Sequence, residues 1–232
     1  MAETDVDEVW LRPTWFIDSN APEVAAFVDA HVDRSEGPRQ QAISLFYAVR
    51  DAIRYDPYGI SYERAAFRAS AAATVPTNWC VPKSVLLAAA ARSLGIPARL
   101  GFADVRNHLT SAKLSASMGT DLFIWHGYAE LLLPDSDDSG EQRWFKLSTA
   151  FNIELCDRFG VRPLEFDGTA DALMHPFDRA GNRHMEYVNQ RGSFDDLPLD
   201  EMLADFAEMY GTTFGEIASA GSAEAAGDDA FA

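Results

Sequence analysis

The sequence predicts an α+β protein in which one alanine-rich helix leads into strands that return on one another. Three stretches carry this prediction. Lys83 to Leu94 is rich in the strongest helix formers; Gly95 stands where a left-handed cap belongs, and Pro97 blocks continuation. Ala98 to Val105 and Phe123 to Leu133 have the composition of strands. The acidic run Pro134 to Gln142 then reads as a hairpin loop before a third strand, Arg143 to Thr149.

The first third of the chain is helical by pattern. Leu11 to Ile17 alternates apolar residues, which suits a short strand or an extended packing arm. Asn20 reads as a helix cap and Pro22 as a first-turn residue of a helix reaching Val32, with Val24, Phe27 and Val28 on one face. A second helix spans Arg39 to Ile53, and Asp56-Pro57-Tyr58-Gly59 is a turn. Near the other end, Met202, Leu203, Phe206 and Met209 form an apolar stripe on a helix from Leu199 to Tyr210.

Bulk properties narrow the function. The 232 residues suit one domain, expected over 1–217 with a core at about 40–152, an extension at 153–217 and a small, polar tail at 218–232. With 36 acidic against 19 basic residues the net charge is −17, which repels phosphate backbones and argues against nucleic acid as a partner. No apolar run is long enough to span a bilayer, and the acidic start Met1-Ala-Glu-Thr-Asp lacks the order of a signal peptide, so a membrane is not expected and a reducing cytoplasm is. Two cysteines, Cys80 and Cys156, make no disulfide framework. No cofactor signature is present. Asp135 to Gly140 lacks the terminal Glu of a calcium loop, and the ligand types between His175 and Glu186 match no standard zinc spacing. Asp178 to Asn182 reads as a polar turn.

Cys80 has the position of a nucleophile. If the helix begins where the residues suggest, the thiol meets unpaired backbone N–H groups and the positive end of the helix dipole, both of which favour an anion. The same donors could steady an oxyanion. Trp79 and Asn78, just upstream, are candidates for the cleft wall and for oxyanion contacts. Placement alone leaves an inert, packed cysteine equally open. Cys156 reads as structural.

Asn78-Trp79-Cys80, the alanine-rich helix and Arg92-Ser-Leu-Gly-Ile-Pro-Ala-Arg99 closely resemble the core signature of the transglutaminase-like superfamily, as does the upstream Ala48-Val-Arg-Asp-Ala-Ile-Arg-Tyr55-Asp56. The similarity covers roughly residues 40 to 152. It implies a papain/transglutaminase-like core, with the nucleophile at a helix N-terminus packed on an antiparallel sheet. It also implies catalytic roles for Cys80 and for His126, which stands at the family's histidine position in Phe123-Ile-Trp-His-Gly-Tyr-Ala-Glu130. On that strand His126 is expected to share a face with Ile124, Tyr128 and Glu130. The third member departs from the pattern: four residues after Trp144 the family usually has Asp, and here stands Ser148. Hairpin register sets position 126 opposite about 150, so Ser148 and Asn152 are both expected near the imidazole, and either could fix its tautomer by hydrogen bonding.

The resemblance implies acyl transfer through a Cys80 thioester, with hydrolysis of an amide or peptide bond favoured over amine transfer and a peptide, protein or small amide as substrate. Two alternatives stay open. One is a catalytically quiet module that binds peptides or proteins, suggested by Ser148. The other is a zinc site built from Cys80, His126 and His108. Oligomeric state is not legible.

Overall fold

The computed structural model describes residues 8–108, 119–135 and 141–211. The expected tail at 218–232, the start at 1–7 and the tip of the acidic hairpin loop lie outside the described residues. In chain order the elements are α1 (Pro22–His31), α2 (Pro38–Ala52), β1 (Arg54–Tyr55), α3 (Ala69–Ala72), β2 (Thr77–Asn78), α4 (Cys80–Ser93), β3 (Ala98–Asn107), β4 (Leu122–Pro134), β5 (Gln142–Leu147), α5 (Ile153–Arg158), β6 (Met185–Phe194) and α6 (Leu199–Tyr210). The four longer strands form one antiparallel sheet in the order β5-β4-β3-β6. The predicted α+β class is what the chain adopts.

Helix α4 occupies the centre. Every residue from Cys80 to Arg92 is buried, as expected of a helix that is apolar all round rather than striped. Its alanines let α1, α2 and α3 approach on one side and the sheet on the other, within one continuous apolar core. It ends as its sequence dictates. Gly95 takes φ +77°, and the N–H groups of Gly95 and Ile96 bond back to Arg92 and Ala91, the Schellman arrangement.

Two charged side chains of this helix are buried. Lys83, fully buried, donates to the carbonyls of Arg50, Ile53 and Ala150 at 3.0, 2.5 and 3.0 Å. One ammonium thereby fastens the C-terminal end of α2 and the chain after β5 to the first turn of α4, and its three N–H bonds match three acceptors. Arg92, at the other end of α4, donates to the carbonyls of Ala98, Arg12 and Asp195, tying the N-terminal arm and the β6–α6 link to the core.

Several expectations need correction. Leu11 to Ile17 forms no strand; Phe16 and Ile17 are buried as a packing arm. Asn20 does not cap α1: the cap position belongs to Ala21, without a side-chain bond, and Pro22 at the helix start makes one donor unnecessary. The third strand stops at Leu147 instead of Thr149, because Ser148 turns its N–H to the carbonyl of Ala172. Strand β6 was not legible, since its pattern is largely exposed and polar, yet it pairs along β3 from Asn107↔Met185 to Leu100↔Phe194. On α6, Met202 and Phe206 are buried as the stripe predicts, whereas Met209 is exposed.

The sheet is pinned by a close approach at Gly101, where an added Cβ would lie 2.1 Å from the ring of Tyr128, itself 1% exposed. Gly101→Ala is therefore expected to destabilise the protein by about 1–3 kcal/mol, read as a lower urea midpoint at unchanged m-value.

Candidate active site

Cys80 is the first residue of α4 and Trp79 its N-cap, with extended backbone and no side-chain cap. The parallel pair Arg54↔Thr77 and Tyr55↔Asn78 delivers the chain to this point. The helix start faces β4 just where that strand loses its neighbour, since pairing with β5 ends at Ala129↔Leu147. The freed N–H of Gly127 is turned to the Cys80 sulfur, together with the N–H groups of Val81 and Cys80 itself. Gly127 suits this approach: a Cβ there would lie 3.2 Å from the Val81 Cα, a tight contact.

His126 comes to the same place from β4. Cys80 and His126 line one cavity of about 70 Å3, room for several waters or a small side chain. The imidazole Nε2 lies 3.4 Å from Ser148 Oγ, a long hydrogen bond, which leaves Nδ1 as the nitrogen that can serve a reactant. The expected register holds, for 129 opposite 147 sets 126 opposite 150, and Ser148 is brought to the ring. Asn152 is not. It occupies the N-cap of α5, where its Oδ1 accepts the Tyr55 N–H at 3.0 Å and its Nδ2 donates to Glu154 at 2.6 Å. Asn78 is likewise absent from the cavity wall, its Oδ1 accepting the Trp79 N–H. Trp79 does wall the cavity, with its ring set against Phe67 and Phe206. His108 turns to Glu186 at 3.4 Å and lines another surface. Among the described residues no cluster of three or more metal-ligating side chains exists, so the zinc alternative built on Cys80, His126 and His108 is not assembled.

The residue before His126 is held in an uncommon conformation. Trp125 has φ +59°, within a bulge where the pairing of β3 and β4 shifts between Ala103 and Val105. A bulky residue with positive φ must be over-determined by its surroundings, and here it is. Asp104 accepts the Trp125 N–H at 3.1 Å and is itself held by Asn189 and by Arg191 at 2.5 Å. Asp205, from α6, accepts the Trp125 indole at 2.8 Å and the same Arg191 at 2.5 Å. These carboxylates position the bulge that presents His126; neither bonds the imidazole.

Electrostatically the resting pair is neutral. Burial pushes the Cys80 thiol up to about 11, outweighing the backbone N–H donors and the charge of Lys83 that act to lower it. Burial also pushes His126 down to about 4. The helix start therefore does not by itself give a thiolate. Cys156 is buried on α5, outside the cavity, and burial pushes its thiol up to about 11 as well.

The family model described as the transglutaminase-like superfamily matches residues 25–149, more than half of the chain. The chain belongs to the transglutaminase-like superfamily. No curated protein matches it. Among solved structures, a candidate cysteine protease from Cytophaga hutchinsonii aligns with TM-score 0.44 and 13% identity, covering 83% of this chain and 55% of that one. The chain thus spans about half the length of that protein.

Within this transglutaminase-like core, some neighbours of the site could not be found by motif. Phe206 and Tyr210, far along the chain, reach it through tertiary packing; Tyr55 and Gly127 lie within the segments quoted for the resemblance, but their place at the site was not legible there. Lys83 carried a faint signal, as one of only three lysines placed on an otherwise apolar helix.

These protonation states have a direct consequence. With the thiol at about 11 and the imidazole at about 4, the thiolate fraction rises with pH throughout the range above neutrality. Iodoacetamide labelling of Cys80, followed by mass spectrometry, is expected to accelerate from pH 7 to 10 without levelling. A plateau already reached below pH 7 would show a preformed thiolate–imidazolium pair.

Proposed function

We propose that the protein is a cysteine-dependent acyl-transfer enzyme that hydrolyses an amide or peptide bond through a thioester at Cys80. The observation that carries this reading is the shared cavity: a thiol at a helix start and an imidazole from the facing strand open onto the same space. Membership of the superfamily supports a cysteine enzyme at family level.

The geometry supports a concerted start. As the sulfur attacks the carbonyl carbon, its proton passes to His126 Nδ1, and the resulting oxyanion meets N–H groups at the start of α4. Collapse breaks the C–N bond, and the imidazolium returns the proton to the departing amine. Water then attacks the thioester, giving one proton to His126; the acid leaves and the thiol is restored by that proton. The imidazolium exists only transiently, and among the described residues its side-chain hydrogen-bond partner is the neutral Ser148 hydroxyl and not a carboxylate.

A second reading has one specific observation in its favour. Ser148 stands where the family usually has Asp, and the resting pair is neutral, which suits a catalytically quiet module that binds peptides. Kinetics with a general amide substrate pool separate the two. On the enzymatic reading Cys80→Ala abolishes turnover and His126→Ala lowers kcat/KM by about 10²- to 10⁴-fold, and an acyl adduct on Cys80 is trapped by rapid quench and mass spectrometry. Turnover that survives Cys80→Ala disposes of the thioester, and binding without turnover selects the quiet module. Ser148→Ala should lower kcat/KM by less than about tenfold, given the long contact it removes. Activity is expected to fall as pH drops through about 4, where His126 gains a proton and ceases to be a base.

A further inference from the structure

The walls of the cavity over Cys80 say something about what enters it. Tyr55, Ile60, Phe123, Phe151, Phe206 and Tyr210 are among the residues that line it. Among the described residues that line it there is no Asp, Glu, Lys or Arg, in a chain with 36 acidic and 19 basic residues. The absence of charge is local, and it surrounds the reacting groups. A charged side chain moving in would exchange water for surroundings with no counter-ion, a loss that the few neutral polar groups of the wall offset only in part.

Besides the reacting pair, the lining carries polar side-chain atoms only on Asn107, Trp79, Tyr55 and Tyr210, and the last is already committed. The Tyr210 hydroxyl accepts the Ile124 N–H at 2.8 Å and donates to the Leu122 carbonyl at 3.0 Å. The nearest carboxylate of β3, Asp104, is held by Trp125, Asn189 and Arg191. A second cavity of about 190 Å3 also borders Trp79, lined among others by Ser61, Phe67, Val75 and Thr77, and neither Cys80 nor His126 borders it. The thiol and the imidazole thus open to the first cavity alone of these two.

We propose that this cavity is a specificity subsite for an uncharged apolar side chain or acyl group adjoining the carbonyl attacked by Cys80, and that it rejects charged and carboxamide side chains. The assignment rests on Cys80 being the nucleophile of the proposed reaction. Apolar pockets of this kind discriminate by shape and desolvation, with single groups changing kcat/KM by about 10- to 200-fold.

The test is a panel of acetyl-Xaa-aminomethylcoumarin amides, with Xaa being Leu, Phe, Gln, Asp or Lys, assayed on the whole chain. The expected result is kcat/KM for Leu and Phe at least tenfold above that for Gln, Asp and Lys. Equal values, or preference for a charged residue, overturn the proposal. Ile60→Glu introduces a counter-ion into the wall and should shift the Leu-to-Lys ratio at least tenfold toward Lys; an active variant with an unchanged ratio shows that the side chain sits elsewhere and also overturns it. If no member of the panel is turned over, the hydrolytic reading fails by itself, and the subsite is judged on the Cys80→Ala variant with N-acetyl-leucinamide, -lysinamide and -aspartamide. Quenching of tryptophan fluorescence by the leucine amide at concentrations tenfold below the others upholds the subsite, and the absence of such a preference sinks it.

Discussion

The structure depends on how closely the start of α4 approaches β4. At Gly127 the helix backbone and the strand come so near that a methyl group would press on the Val81 Cα. That approach turns the Gly127 N–H to the Cys80 sulfur and brings His126, one residue away on β4, to the same cavity. Lys83 secures it from behind. Its ammonium gathers the end of α2 and the segment after β5 onto the first helical turn, so the element carrying Ser148 is anchored to the element carrying Cys80. A buried cation satisfied by three carbonyls is a specific fastening, because apolar packing alone tolerates sliding and a triple hydrogen bond does not.

Burial and polarity oppose each other at the site. The helix start supplies donors that favour an anion, yet the cavity around the thiol is lined by aromatic rings and pushes both titrating groups toward neutrality. A neutral thiol and a neutral base suit a reaction in which charge appears only with the substrate in place, when the oxyanion and the imidazolium form together and offset each other. The Ser148 hydroxyl fits such a scheme: it can orient a ring, and it adds no charge beside a largely apolar cavity. The strained Trp125 and its two carboxylates belong to the same arrangement. The charges that shape the site are kept one layer away from the imidazole, where Arg191 bridges both carboxylates and offsets one of their two charges.

Local chemistry was legible where it is written in contiguous residues. The alanine-rich run and its Gly95 stop announced α4, because propensity and a left-handed cap act within a few residues. The strands of the hairpin followed from apolar patterning and their register from a loop centred near Asp138, which agrees with the observed pairing of 129 with 147. Asn152 shows the limit of that reasoning. Register places it near His126, but the strand had already ended, and the α5 N-cap and the Tyr55 backbone claimed its side chain. Strand β6 illustrates the same limit at the level of an element, since an exposed, polar edge has no inward face to leave a pattern.

The sequence by itself determined the class of fold, the helix that bears Cys80, the strand that bears His126 and the missing carboxylate at Ser148, because each depends on neighbours in the chain. Tertiary structure alone decided which of Ser148 and Asn152 meets the imidazole, how burial overrides the helix dipole at the thiol, and which rings enclose the cavity. Those outcomes arise from groups far apart in sequence competing for the same hydrogen bonds and the same water-free space, and only the packed chain settles such a competition.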